Sequence, residues 1–141
     1  MLSKKQKKYI PLRSFGLLLQ KPNVKKCTFA EYRNWVMINY ALGTGQRLNT
    51  IRNIKIEDIN LNSEEVVIKT MKNKTQKFLP LSHSLVLILK EYLRFRGGEP
   101  DDYLFCTQYG KQMSVSGMQS AIQNYNKKRR YKKNIHASIS K

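Results

Sequence analysis

A helix-length apolar run that stops on Gly43-Thr44-Gly45 and restarts at Gln46-Arg47-Leu48 constrains this chain more than any other feature. Upstream, Thr28-Phe29-Ala30-Glu31 has the form of a capping box, in which hydroxyl and carboxylate each answer an orphan amide. The helix it opens carries Phe29, Tyr32, Trp35, Val36, Ile38 and Leu42 over a wide arc, so the spacing predicts a core helix. Gly43 and Gly45 end it. A second, shorter helix is expected from about Arg47 to Ile54, with Leu48, Ile51 and Ile54 on one face. The chain must therefore turn sharply between two helices and present Arg47 at the start of the second.

The downstream pattern changes period. Residues 56–62 read as a turn into a hairpin. Val66, Val67 and Ile68 are β-branched and favour a strand. Lys72-Asn73-Lys74-Thr75 is the connection. Lys77-Phe78-Leu79 returns, and Pro80 ends the ladder because it has no amide to donate. Ser82 or Ser84 caps a third helix through Arg94, with Leu85, Ile88, Leu89 and Leu93 on one face. A loop over 97–102 leads to Tyr103-Leu104-Phe105, read as a short strand. Ser114 or Ser116 starts a fourth helix with Met118, Ala121, Ile122 and Tyr125 as its apolar stripe. The expected domain is α+β, mostly helical with a small antiparallel sheet (a hairpin near 65–81), and spans 28–141. Residues 1–27, interrupted by Pro11, Gly16 and Pro22, read as a basic tail or interdomain linker. No internal repeat is visible.

Charge narrows the partner. The 141 residues carry a net charge of +18, and residues 1–30 and 103–141 each hold eight lysines and arginines and no acid. Such flanks repel one another unless an anion screens them. Nucleic-acid phosphate does so with release of condensed counterions. A soluble basic protein with no nucleic-acid role is the bland alternative. No long apolar stretch is present, so neither a bilayer span nor a membrane partner is expected, and Leu17-Leu18-Leu19 is too brief for a signal peptide. Cys27 and Cys106 are far apart and in no metal spacing, which fits two small buried apolar residues in a reducing cytoplasm. No cofactor motif, metal site, nucleotide phosphate loop or Ser-His-Asp arrangement is apparent, and no small-molecule substrate is expected. Glu57-Asp58 and Asp101-Asp102 read as solvated turn residues.

Each candidate residue has two readings. Arg47, beside a Gly-rich bend at a helix start, can grip two phosphate oxygens at once, or be a surface arginine beside a cap. Lys72, Lys74 and Lys77 crowd one hairpin and can neutralise a phosphate or give a proton to a departing oxygen; they can equally protect a sheet edge. His136 can hydrogen-bond a phosphoryl oxygen or simply be solvated. The run Lys127, Lys128, Arg129, Arg130, Tyr131, Lys132, Lys133 can track a phosphate backbone or be a solvated helix end. Tyr125 and Tyr131 can stack on bases, although most of the tyrosines suit the core edge.

The order of these pieces resembles the catalytic domain of the tyrosine recombinases, the phage integrase family. Leu42-Gly43-Thr44-Gly45-Gln46-Arg47-Leu48 is similar to the family's T-G-x-R-[IL] motif. Ile54 through Leu61 is similar to its L-x-W-x-D-I-D-L turn. Lys72 through Ser82 resembles its K-x-[KR]…V-P-L-S hairpin, Tyr103-Leu104-Phe105 its L-F strand, and Asn134-Ile135-His136-Ala137 the start of its H-x-x-R-H box. The resemblance implies Arg47, Lys72 and His136 as catalytic residues, with Lys74, Lys77, Lys127, Lys128, Arg129, Arg130, Lys132 and Lys133 against DNA. It implies double-stranded DNA and further recombinase protomers as partners, and cleavage and rejoining through a 3′-phosphotyrosine. The chain also departs from the pattern. Ile139 stands where the H-x-x-R arginine is expected, Thr50 where an acid is common, and no tyrosine follows His136. The expectation is a fragment that binds duplex DNA and is inert or nearly so alone. A non-catalytic DNA-binding accessory module is the alternative, and an RNA-binding protein a third.

Overall fold

Local capping chemistry opens the fold as the sequence predicts. Thr28 Oγ1 accepts the Glu31 amide at 3.2 Å and starts helix α1, Phe29–Thr44. The computed structural model describes residues 20–69 and 75–140, with side chains through Lys128. Gly45 closes α1 in the left-handed region (φ 67°), donating its amide to Ala41 O at 2.9 Å; a residue with a Cβ would be strained there. Helix α2 is one short turn and a half, Leu48–Arg52, followed by a 3-10 turn at Ile56–Asp58.

Three antiparallel strands follow in the order β1-β2-β3: β1 Ile59–Asn60, β2 Glu65–Lys69 and β3 Gln76–Pro80. The register pairs Ile59 with Val66 and Val66 with Leu79, which puts these three on the core face. Phe78, opposite Val67, falls on the other face and is exposed. The turn into β2 is built by Asn60 Oδ1, which accepts the amides of Asn62 and Ser63 at 3.1 and 3.0 Å. Pro80 is the last residue of β3, as expected from its missing donor. Ser82 then caps helix α3, His83–Arg96, accepting from Leu85 N at 3.2 Å. Helix α4 runs Val115–Ser140, with Ser114 Oγ accepting the Gly117 amide at 3.0 Å at its start.

Helices α1 and α3 sandwich an aromatic core. Tyr92 lies 5.6 Å from Phe105, and Tyr40 meets Phe105 edge-on at 5.8 Å. Tyr92 donates its buried hydroxyl to Leu104 O at 2.8 Å, which offsets the cost of burying that group. From the described part of α4, Met118 and Tyr125 reach this core, with Ala121 and Ile122 packed against it. Residues 20–27 dock on the same body. Pro22 is buried, Val24 and Cys27 pack against the core, and Lys21 Nζ pairs with Glu91 at 2.7 Å.

Several expectations need correction. Tyr103-Leu104-Phe105 is not a strand. Tyr103 makes one isolated bridge with Lys55 and Cys106 another with Gln112, because Ile56 turns away into the 3-10 turn and leaves no longer edge to pair with. Tyr32, Trp35, Val36 and Ile38 of α1 are buried as expected, but Leu42 is 48% exposed, and Met37 and Tyr40 are fully buried in addition. Asp58 is not solvated; it is 6% exposed and its Oδ2 accepts the Lys55 amide at 3.0 Å. Tyr125 is buried and directs its hydroxyl to Gln20 O, so it does not stack on bases. Both cysteines are free, Cys106 buried and Cys27 half-buried, and burial pushes both thiols up.

Candidate nucleic-acid interface

Arg47 occupies the N-cap of α2 in extended backbone, with its side chain exposed. The chain holds that position from both sides. Upstream, Thr44 Oγ1 donates to Tyr40 O at 2.8 Å and accepts the Gln46 amide at 3.4 Å, while Tyr40 Oη donates to Gln46 Oε1 at 3.2 Å. Downstream, Arg47 O accepts the Ile51 amide at 3.0 Å, and Ile51 is fully buried. The far end of α2 is also clamped. Arg52 Nε donates to Met113 O at 3.0 Å, and Gln112 Nε2 donates to Arg52 O at 3.0 Å and to Asn53 Oδ1 at 3.1 Å. A fixed backbone thus carries a solvent-facing guanidinium, the arrangement that loses least entropy when an anion is gripped.

The hairpin is anchored at the loop end of β2. Lys69 Nζ lies 3.2 Å from buried Asp58 Oδ1 and 3.7 Å from Glu57 Oε1, and these carboxylates raise the lysine above its ordinary range. Lys77 is exposed on β3 opposite Ile68. Lys72 and Lys74 lie outside the described residues. On α4, Lys127 and Lys128 are exposed, and Lys128 Nζ stands 3.6 Å from Glu31 Oε1. Arg129, Arg130, Lys132, Lys133 and His136 fall within the α4 backbone, but their side chains lie outside the described residues. Among the described residues no cluster of His, Cys, Asp and Glu can hold a metal, and no helix is long and apolar enough to cross a membrane.

Sequence patterns did not single out the groups that hold the site in place. Arg33 is 7% exposed; its Nη1 donates to Cys106 O at 3.0 Å, joining α1 to the segment before α4. Burial lowers its affinity for the proton. Asp58, Gln46, Tyr40 and Gln112 were likewise missed as site supports. Only the 3-residue spacing of Lys55 and Asp58, a capping geometry, carried a local signal for any of them.

This order of elements is the fold of tyrosine recombinase catalytic cores. The chain superposes on XerA recombinase with a TM-score of 0.70 at 20% identity, over 86% of this chain and 42% of that one. On the lambda integrase (residues 75–356) bound to DNA the TM-score is 0.62 at 15% identity, over 85% of this chain and 42% of that one. The chain belongs to the phage integrase family, whose model matches residues 17–138. It is 30% identical over 76 residues to a tyrosine recombinase of Pseudothermotoga lettingae, covering 54% of this chain and 27% of that protein. It is 26% identical over 106 residues to the tyrosine recombinase XerC of Escherichia coli, covering 74% of this chain and 35% of XerC. The chain thus spans about a quarter to a third of the length of the curated relatives it matches.

Proposed function

We propose that these residues are the phosphate-holding part of a tyrosine recombinase catalytic domain, that they bind duplex DNA, and that alone they do not cut it. The observation that carries this reading is Arg47, an exposed guanidinium on a turn clamped from both sides in a family member of charge +18. Arg47 grips the non-bridging oxygens of a DNA phosphate, where charge grows as the phosphorus is attacked. By resemblance, Lys72 protonates the departing 5′ oxygen and His136 hydrogen-bonds the phosphoryl group. Lys74, Lys77 and the basic run from Lys127 to Lys133 neutralise flanking phosphates. Ile139 cannot supply the second cation, and losing one such donor alone costs on the order of 100- to 1000-fold in rate. Solved lambda integrase structures include a dimer bound to a core site and a tetramer bound to a Holliday junction; by analogy, further recombinase protomers complete the reaction here, in the cytoplasm where the DNA lies.

Fluorescence anisotropy on a labelled duplex over a salt series tests this. Arg47→Ala should weaken binding roughly tenfold or more, the worth of a charge-assisted hydrogen bond, and exceed the effect of Lys127→Ala. Equal losses would favour a non-catalytic accessory module. A covalent protein–DNA adduct trapped on plasmid would refute the inertness. Preference for structured RNA over duplex at matched salt would refute the DNA reading.

A further inference from the structure

Arg47 follows a half-buried residue whose side-chain amide is turned inward onto α1. Gln46 is tied to α1 at two points one residue before the guanidinium: its amide N–H to Thr44 Oγ1 at 3.4 Å and its side-chain Oε1 to the hydroxyl of Tyr40 at 3.2 Å. Tyr40 is fully buried, edge-on to Phe105, so its hydroxyl is a fixed reference point rather than a roaming surface group. Thr44 is fixed in turn by donating to Tyr40 O at 2.8 Å. The remaining end of the Gln46 side chain, Nε2, is buried and has no hydrogen-bond partner among the described residues. An apolar side chain there would avoid that unpaired donor, so the amide is buried at a cost.

We infer that Gln46 is a positioning residue for Arg47: the Tyr40–Gln46 hydrogen bond sets the direction from which the guanidinium meets a DNA phosphate. The inference rests on the proposed role of Arg47 as the phosphate ligand. With the bond present, the backbone entering Arg47 has one orientation, because Gly45 at φ 67° supplies the bend and Gln46 locks the residue after it. With the bond absent, the Gly45 bend can swing, and the guanidinium samples directions that miss the bidentate geometry. The buried Nε2 is shut off from solvent, so Gln46 acts through its neighbour and not on the DNA.

The test is a double-mutant cycle read by duplex affinity, using the full 141-residue chain. Tyr40→Phe removes one hydroxyl and keeps the ring; Gln46→Met keeps length and removes the amide. Each should weaken duplex binding by roughly 2- to 12-fold, the range of one hydrogen bond. In an Arg47→Ala background neither should cost anything further. A merely structural role would instead give the same loss with and without Arg47, and that additivity overturns the inference. So does unchanged affinity of Tyr40→Phe, which remains decisive should Gln46→Met fold poorly. An Arg47→Ala loss no greater than that of Lys127→Ala removes the proposed function and this inference together. A large Arg47→Ala loss with silent Tyr40→Phe and Gln46→Met removes only the inference.

Discussion

Ile51→Ala is the substitution that separates the scaffold from the site. Ile51 is the one fully buried side chain of α2, and it fixes the helix that Arg47 caps. Truncating a buried isoleucine costs about 2–5 kcal/mol, less where neighbours collapse into the space. Here collapse is resisted. Helix α2 is held by the Arg52–Met113 and Gln112–Arg52 hydrogen bonds at one end and by the Gln46–Tyr40 bond at the other. The expected loss is therefore above the low end of that range, about 3–4 kcal/mol. Against a total of roughly 7–15 kcal/mol for a domain of this size, that is a large share. Urea unfolding at an unchanged slope of about 2 kcal/mol/M should move the midpoint down by roughly 1.5–2 M. Arg47→Ala, at an exposed cap with no side-chain cap bond, should stay within about 0.5 kcal/mol of the parent. An Ile51→Ala loss below about 1 kcal/mol would refute the claim that α2 is clamped, and an equal loss in Arg47→Ala would show that the arginine is structural.

Two further outcomes follow from the ionic contacts. Asp58→Ala strips the acceptor of the Lys55 amide and the partner of Lys69, and should cost roughly 1–3 kcal/mol in thermal unfolding; Asp58→Asn, which still accepts from Lys55, should recover part of it, and two silent variants would show that the end of β2 is not anchored there. Glu91 is held below its ordinary value of 4.5 by Lys21 and then by the Tyr32 hydroxyl. Because the folded value is the lower one, the stabilisation is complete above the ordinary value and is lost as pH falls through the range below it. Glu91→Gln should therefore show a shallower fall in stability on acidification, and parallel acid limbs for the two proteins would exclude the coupling.

The parts of the fold that were legible in the sequence are those fixed within a few residues. Thr28, Gly45 and Ser82 announce helix ends because a cap is a local hydrogen bond, and Pro80 announces the end of a ladder because a donor is missing. Arg47 was legible for the same reason, as the residue after a Gly-rich bend. What escaped depends on distant partners. Strand β1 is two residues long and exists only through Val66 and Glu65. Arg33 finds its acceptor 73 residues away, and Gln112 reaches the end of α2 from 60 residues away. The burial of Asp58 and Tyr125 likewise follows from what packs over them, which no periodicity along the chain records. Tyr103-Leu104-Phe105 has strand composition, with Leu104 and Phe105 fully buried, but no ladder, since the edge opposite it bends off after Lys55.

The lysine at the end of β2 has a consequence for any duplex that docks beside it. Lys69 is already matched by two carboxylates, and Lys21 and Lys128 each face one of their own. Their valence is partly consumed inside the polypeptide, so the number of sodium ions a duplex sheds on docking should fall short of what a tally of cationic side chains suggests. Counting those ions by titration would therefore report on which lysines are still spare, and not on how many the gene encodes.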